Sequence, residues 1–287
     1  MPVRNEAWIL GASLRIALKW CDEAILLNHA STDDTADIIS QVEEEHRGRV
    51  HVLSESNSAW PEMDHRQRLL EAARHRKATH VALVDADEVL TGDWLVDIRA
   101  TFEQLRPGEH VHVGMPCLWR GLHQYRVGQS LWSNRHDLCI GFMDRPELGI
   151  GWHAAGGYDH HHREPYGTSL AGRIYDSGGV MHLQWLSWKR LVAKHALYKT
   201  IERIKYPNKP IPKIDNTYSD ALDETGIQLA DCPAAWWEPY QRLLGHIDLD
   251  SEPWQAAECR RLVALHGVEN FAGLNLYGIV EQEPCPA

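Results

Sequence analysis

Apolar positions along the chain change period in a regular way. From Ala7 to Trp20 they recur every three or four residues, with Ile9, Leu10, Leu14, Ala17 and Leu18 on one stripe. That pattern predicts an amphipathic helix, capped by Asn5. Ala24-Ile25-Leu26-Leu27 is apolar without alternation, as in a strand covered on both faces. It runs into Asn28-His29-Ala30-Ser31-Thr32-Asp33-Asp34-Thr35, where Ser31 and Asp34 have capping-box spacing for a helix through about Glu45. A third strand is predicted from Arg49 to Leu53. A polar loop follows, and Pro61 suits the first turn of a helix to about Arg76. The strand from His80 to Val84 then ends abruptly in Asp85-Ala86-Asp87-Glu88. A helix over Asp93–Leu105 and a strand over His110–Pro116 close the series.

Strands alternating with helices predict an α/β fold with a mainly parallel sheet covered on both sides. From about Trp119 to Gly179 the alternation is lost in a stretch rich in Gly, His and aromatics, the mark of a binding or lid region. A strand over Val180–Trp185 leads to a helix from Ser187 to about Lys205, with Trp188, Leu191, His195, Tyr198 and Ile201 on one face. A Pro-rich link over Tyr206–Lys213 precedes two further helices, Pro233–Leu244 and Glu252–His266.

Composition narrows the classes. A chain of 287 residues is ample for a real core. No apolar run approaches the roughly 18 residues of a membrane span. The polar opening Met1–Glu6 does not read as a secretory signal. Because only Met1 to Val3 precede Arg4, the first strand is either very short or has lost residues upstream. Six scattered Cys without a CxxC pair read as reduced thiols in a cytoplasmic protein. A net charge of −11 argues against a general nucleic-acid binder. Between Trp188 and Lys213, however, eight basic residues stand against Glu202 alone. They suit an anionic partner, with Lys194 the chosen contact, or a solvated helix face.

The candidate chemistry sits where the His80 strand ends. Ligands of open α/β sheets bind beyond the carboxyl ends of strands, where Asp85 and Asp87 fall. Two carboxylates one residue apart can face one hard cation shared with substrate phosphates, or can merely cap the next helix. No GxGxxG follows the first strand and no GxxxxGK[ST] occurs, which disfavours dinucleotide and P-loop folds. The run His160-His161-His162 is not read as zinc-binding, because adjacent His cannot all face one ion and no Cys is close. Trp132 and Trp152 suit a sugar platform, Trp185 and Trp188 a core, and Trp236-Trp237 an anchor for the tail.

Val3-Arg4-Asn5-Glu6, Ala30-Ser31-Thr32-Asp33-Asp34-Thr35 and Asp85-Ala86-Asp87-Glu88, in that order, resemble family 2 glycosyltransferases of the GT-A fold, over roughly residues 3–200. The resemblance implies a GT-A domain over residues 1–205, with a donor part to about 118 and an acceptor or lid part over about 119–185. A mainly helical extension would occupy residues 206–287. It implies a metal-dependent, hexosyltransferase-type enzyme moving a sugar from a nucleotide donor (a UDP-sugar by the family's habit) to an acceptor hydroxyl, with inversion. Arg4, Asn5 and Glu6 would line the nucleoside pocket, and Arg66 would approach the nucleotide. Asn28 stands where the family usually has a base-reading Asp, and His29-Ala30 replace a common Asp-Gly, so the donor base stays open. Asp85 and Asp87 would be the DxD pair for ribose, diphosphate and Mn²⁺ or Mg²⁺, with His182 as a late ligand. The general base falls among Asp137, Asp144, Glu147, Asp159 and Glu164, of which Asp159 and Glu164 are preferred. Alternatives are a GT-A-like nucleotidyltransferase, whose Gly-rich basic signature Arg4-Asn5-Glu6-Ala7 lacks, and a non-catalytic nucleotide- or sugar-binding protein. The acceptor stays open between a glycan, a lipid-linked sugar, a protein and a modified nucleic-acid base.

Overall fold

The computed structural model describes residues 1–57, 62–128, 134–150, 163–174, 178–219 and 222–280, with backbone alone over 134–137. In chain order the strands are β1 (Pro2–Val3), β2 (Ala24–His29), β3 (Val50–Glu55), β4 (His80–Ala82), β5 (Glu88–Leu90), β6 (Glu109–Pro116), β7 (Gln124–Val127), β8 (Asn134–Met143), β9 (Ser169–Ile174), β10 (Val180–His182) and β11 (Gln228–Asp231). The α-helices are α1 (Ala7–Ala17), α2 (Thr35–Glu45), α3 (Glu62–His75), α4 (Ile98–Glu103), α5 (Trp188–Lys205), α6 (Ile211–Ser219), α7 (Ala234–Trp237), α8 (Gln241–Leu244) and α9 (Trp254–His266). They form two compact units interleaved in sequence. The first comprises Met1–Pro116, Arg135–Leu183 and Cys232–Asp248. The second comprises Cys117–Asn134, Gln184–Asp231 and Leu249–Ala287.

In the first unit β1, β2 and β3 pair in parallel. A second sheet runs in the order β4-β8-β6-β9, with β4 antiparallel to β8 and β6 parallel to β9. The apolar run of β2 feeds a core of Val3, Leu10, Leu14, Leu18, Leu26, Ile39, Val42 and Val50. α1 differs from the predicted one-sided stripe, because Trp8, Ile9, Ala12, Ser13 and Ile16 are buried as well. It packs against α2, β5 and α8 at once, so it is covered all round. Arg49 closes its far end by donating to Leu18 O and Cys21 O, each at 2.7 Å.

Other expectations fail locally. β4 is half-buried, and the buried residues are those after it, Leu83 and Val84. The helix predicted over Asp93–Leu105 is broken into a 3₁₀ turn, Gly92–Leu95, and α4. At Gly92 a Cβ would lie 2.6 Å from Ala235 O and Pro239 Cγ, so the chain turns hard against α7 there. The supposedly irregular stretch after Trp119 contains β7, β8 and β9. The second unit has α5, α6 and α9 around Ala196, Leu197, Ile214, Cys259, Val263 and Phe271, with β7 and β11 paired antiparallel. α6 and β11 were not anticipated, and the Pro233–Leu244 helix is two short helices around a 3₁₀ turn, Glu238–Tyr240. Among the described residues, no helix is long and apolar enough to cross a membrane.

Candidate active site

Two loops at the carboxyl ends of strands build the site. The first joins β1 to α1 and clasps the loop after β2. Asn5 is not a helix cap: its φ is +53°, and its Oδ1 accepts from the Thr32 N–H at 2.6 Å. In return the Asn5 N–H donates to Ser31 Oγ at 3.0 Å, the Glu6 N–H to Thr35 Oγ1 at 3.0 Å and the Ala7 N–H to Asp33 Oδ2 at 3.1 Å. Thus Asp33, not the Ser31–Asp34 box, caps the neighbouring helix ends: its other oxygen accepts from the Thr35 N–H at 3.0 Å. The Glu6 carboxylate accepts from Trp8 Nε1 at 2.6 Å. Arg4 follows β1, and Asn28 lies opposite Val3 on β2. Asn28 Oδ1 is buried without a hydrogen-bond partner among the described residues. His29 is also buried, with Nε2 2.7 Å from Asn57 O and its ring 4.6 Å from that of His65.

The second loop is Asp85-Ala86-Asp87-Glu88. It closes on itself, the Asp85 N–H donating to Glu88 Oε2 at 3.0 Å and the Glu88 N–H to Asp85 O at 3.2 Å. Arg66, on α3, donates through Nη2 to both Asp85 oxygens at 3.2 and 3.1 Å, and through Nε to Glu62 at 3.0 Å. Arg163 donates to Asp85 Oδ2 at 2.8 Å, to Glu88 Oε2 at 2.6 Å and to Glu88 Oε1. Glu88 is only 2 % exposed. Burial alone would raise the Asp85 carboxyl, but the guanidinium groups of Arg163 and then Arg66 outweigh it and hold the pKa at about 2. Asp85 is therefore a permanent anion with its charge already matched.

Asp87 has other company. β10 pairs antiparallel with β5, putting His182 opposite Glu88, and the Leu183 N–H donates to Asp87 O at 2.8 Å. His182 Nε2 lies 3.5 Å from Asp87 Oδ2. One ligand atom each from Asp87, Glu88 and His182 fall within 4.8 Å of one another. The turn that delivers β10 needs glycine. Gly178 and Gly179 have φ of +49° and +127°, and a Cβ on Gly179 would lie 2.1 Å from Gly114 O. Thr91 locks it by donating its N–H to Gly179 O and accepting the Gly179 N–H on Oγ1.

The structure thus brings Asp85, Asp87, His182 and Arg66 together. It adds Glu88 and Arg163, which the sequence reading did not assign. Glu88 could have been taken from its place in the acidic motif; Arg163 carries no such signal. Lys194 stands on α5 in the second unit, where its Nζ donates to Gln184 at 2.6 Å. Much of the basic stretch is paired within that unit: Arg190 with Ser251, Lys199 with Asp215, Lys209 with Glu202 and Lys189 with Glu252. Asp144 binds Arg74 at 2.7 Å, and Glu147 lies 3.8 Å from Arg145. Glu164 lies beside His112 and Cys139. Asp159, the three adjacent His, Trp132 and Trp152 lie outside the described residues, as does the side chain of Asp137.

Together, the α/β layers and the acidic turn after β4 fit a GT-A-type fold. The chain matches the model of glycosyl transferase family 2 over residues 1–144, and it belongs to that family. It is a glycosyltransferase. Among solved structures it is similar to residues 1–349 of TarS from S. aureus, at 13% identity and a TM-score of 0.43, covering 77% of this chain and 68% of that one. It is also similar to the same part of TarS in complex with UDP, at 14% identity and a TM-score of 0.39, covering 77% and 69%. A search of curated protein sequences finds no match.

Proposed function

We propose that the protein transfers a hexosyl group from a nucleoside-diphosphate sugar to an acceptor hydroxyl, with a divalent cation held by Asp87 and His182. The observation that carries this reading is the division of labour in the acidic turn. Asp85 and Glu88 are neutralised by Arg66 and Arg163, whereas Asp87 is turned toward an imidazole. A carboxylate oxygen and an imidazole nitrogen suit Mn²⁺ better than Mg²⁺, which prefers oxygen throughout. When bound, the cation supplies Lewis-acid stabilisation of the departing diphosphate. Asp85, fixed by two guanidinium groups, would accept a hydrogen bond from a ribose hydroxyl. The buried, unsatisfied Asn28 Oδ1 offers an acceptor for an N–H on the base, and supports a nucleoside pocket beside the Asn5 clasp. A carboxylate takes the acceptor proton; of the two preferred from the sequence, Asp159 is put forward for that step, because Glu164 lies beside His112 and Cys139.

Release of nucleoside diphosphate from UDP-sugars, followed with and without Mn²⁺, tests the reading. Asp87→Ala should abolish turnover while the melting temperature moves little, because Asp87 holds none of the apolar core. His182→Ala should weaken the Mn²⁺ dependence by a smaller factor. Full turnover of Asp87→Ala in the presence of a chelator would overturn the proposal.

A further inference from the structure

A second cluster lies in the same unit as the acidic turn, on different elements. His112 on β6, Cys139 on β8 and Glu164 just after Arg163 each offer one ligand atom, all within 4.8 Å of one another. β6 and β8 are neighbours in the sheet, and His112 and Cys139 are both buried, at 7 % and 2 % exposure. Two of the three donors are therefore fixed by paired strands. The His110 ring, two residues earlier on β6, lies beside that of His112, with centroids 4.9 Å apart.

We propose that His112, Cys139 and Glu164 form a three-ligand zinc site, separate from the sugar-transfer cation, that fastens the Arg163–Glu164 segment to the sheet. The donor set selects the ion. One imidazole, one thiolate and one carboxylate suit Zn²⁺, whereas Mg²⁺ and Mn²⁺ favour oxygen-rich shells. Ligand atoms around tetrahedral zinc are about 3.4–3.8 Å apart, given bonds of roughly 2.0–2.3 Å. A closure of about 1 Å or slightly more, within reach of side-chain rotation, completes three positions and leaves the fourth to water. Without the ion, burial and then the Glu164 carboxylate push the Cys139 thiol up to about 12, and its Sγ donates weakly to Gly141 O at 3.8 Å. A thiol coordinated by zinc is deprotonated instead. The consequence reaches the active site through one peptide bond. Glu164 held by zinc fixes Arg163, the guanidinium that neutralises Asp85 and Glu88.

The test needs no sugar donor, so its failure is distinct from failure of the transfer reading. Full-length protein is stripped with chelator and titrated with Co²⁺, which reports a bound thiolate by a near-ultraviolet charge-transfer band. One equivalent should produce the band, Zn²⁺ should displace it, and Cys139→Ser should lose it. Glu164→Gln, which changes no buried apolar contact, should weaken Zn²⁺ binding at least about tenfold while retaining the wild-type circular dichroism. Chelation should lower the melting temperature of wild type and leave that of Cys139→Ser unmoved. Absence of the band in wild type, its persistence in Cys139→Ser, or equal zinc content in the two proteins would overturn the proposal.

Discussion

The clasp at Asn5–Ala7 and the charge cluster around Asp85 both fix a loop at the carboxyl end of a strand, by opposite means. In the clasp, neutral or exposed side chains satisfy backbone N–H groups: Ser31 and Thr35 each accept one and Asp33 accepts two. Each such bond is worth about 1 kcal/mol net. In the cluster, the buried Arg66 and the half-buried Arg163 meet two carboxylates, one of them only 2 % exposed. Removing one member leaves an uncompensated charge, at a cost of about 3–5 kcal/mol. The clasp should therefore yield by small steps and the cluster all at once.

The sharpest way to break that contrast is Arg163→Met. It keeps the apolar stem and removes the charge that faces both Asp85 and Glu88. Urea unfolding at neutral pH should show a loss of about 3–5 kcal/mol. A loss below about 1 kcal/mol would place the cluster in the same class as the clasp.

Acid then sharpens the comparison. Because the folded-state pKa of Asp85 lies at about 2, below its unfolded value of about 4, the carboxylate contributes stability that is fully present above the unfolded value. That contribution is lost as pH falls from about 4 toward 2. In Arg163→Met the main counter-charge is gone and the Asp85 pKa rises, so the acid limb should flatten. Unfolding free energies of wild type and variant, measured from pH 6 to pH 2.5, should converge as the pH falls. Parallel curves would show that Arg163 does not govern Asp85.

The same contrast decides what the sequence disclosed. The clasp lies within short-range patterns: Asn5, Ser31 and Asp33 are residue types that bond nearby backbone, so their loops could be located although the partners were assigned wrongly. Asp85 and Asp87 were legible because an apolar run stops at them, and His182 because its strand was clear. Arg163 was not, because it lies 78 residues from Asp85 and no local periodicity links them. β9 was hidden for a related reason. Its alternation of exposed and half-buried positions over Ser169–Ile174 is carried by small residues, Ala171 and Gly172 among them, which give little hydropathic contrast. β8 does contain an apolar run, Leu138 to Phe142, that the surrounding Gly, His and Trp residues obscured.

Within the clasp, Ser31→Ala should remove the acceptor for the Asn5 N–H and cost about 1 kcal/mol. Chemical denaturation measures it, and the same variant should weaken nucleotide binding if Asn5 and Glu6 shape the pocket. A loss near 4 kcal/mol would mean that the clasp is as cooperative as the charge cluster.

The smallest effect is expected at Ala30, and its sign is the interesting part. Ala30 follows β2 with φ of +47°, and its N–H is committed to Glu55 O at 2.7 Å. The backbone there is set by the pairing of β2 with β3 and by the clasp that follows. The Cβ of Ala30 must then tolerate the left-handed region, at about 1–2 kcal/mol for a residue other than glycine. Glycine removes that strain but adds about 0.5–1 kcal/mol of conformational freedom to the unfolded chain. Ala30→Gly should therefore stabilise the protein by somewhat less than about 1 kcal/mol. The check is an increase in the urea midpoint at unchanged m-value. Destabilisation instead would show that the Ala30 methyl makes a packing contact worth more than the strain it causes, and that the clasp is held by apolar contact as well as by its hydrogen bonds.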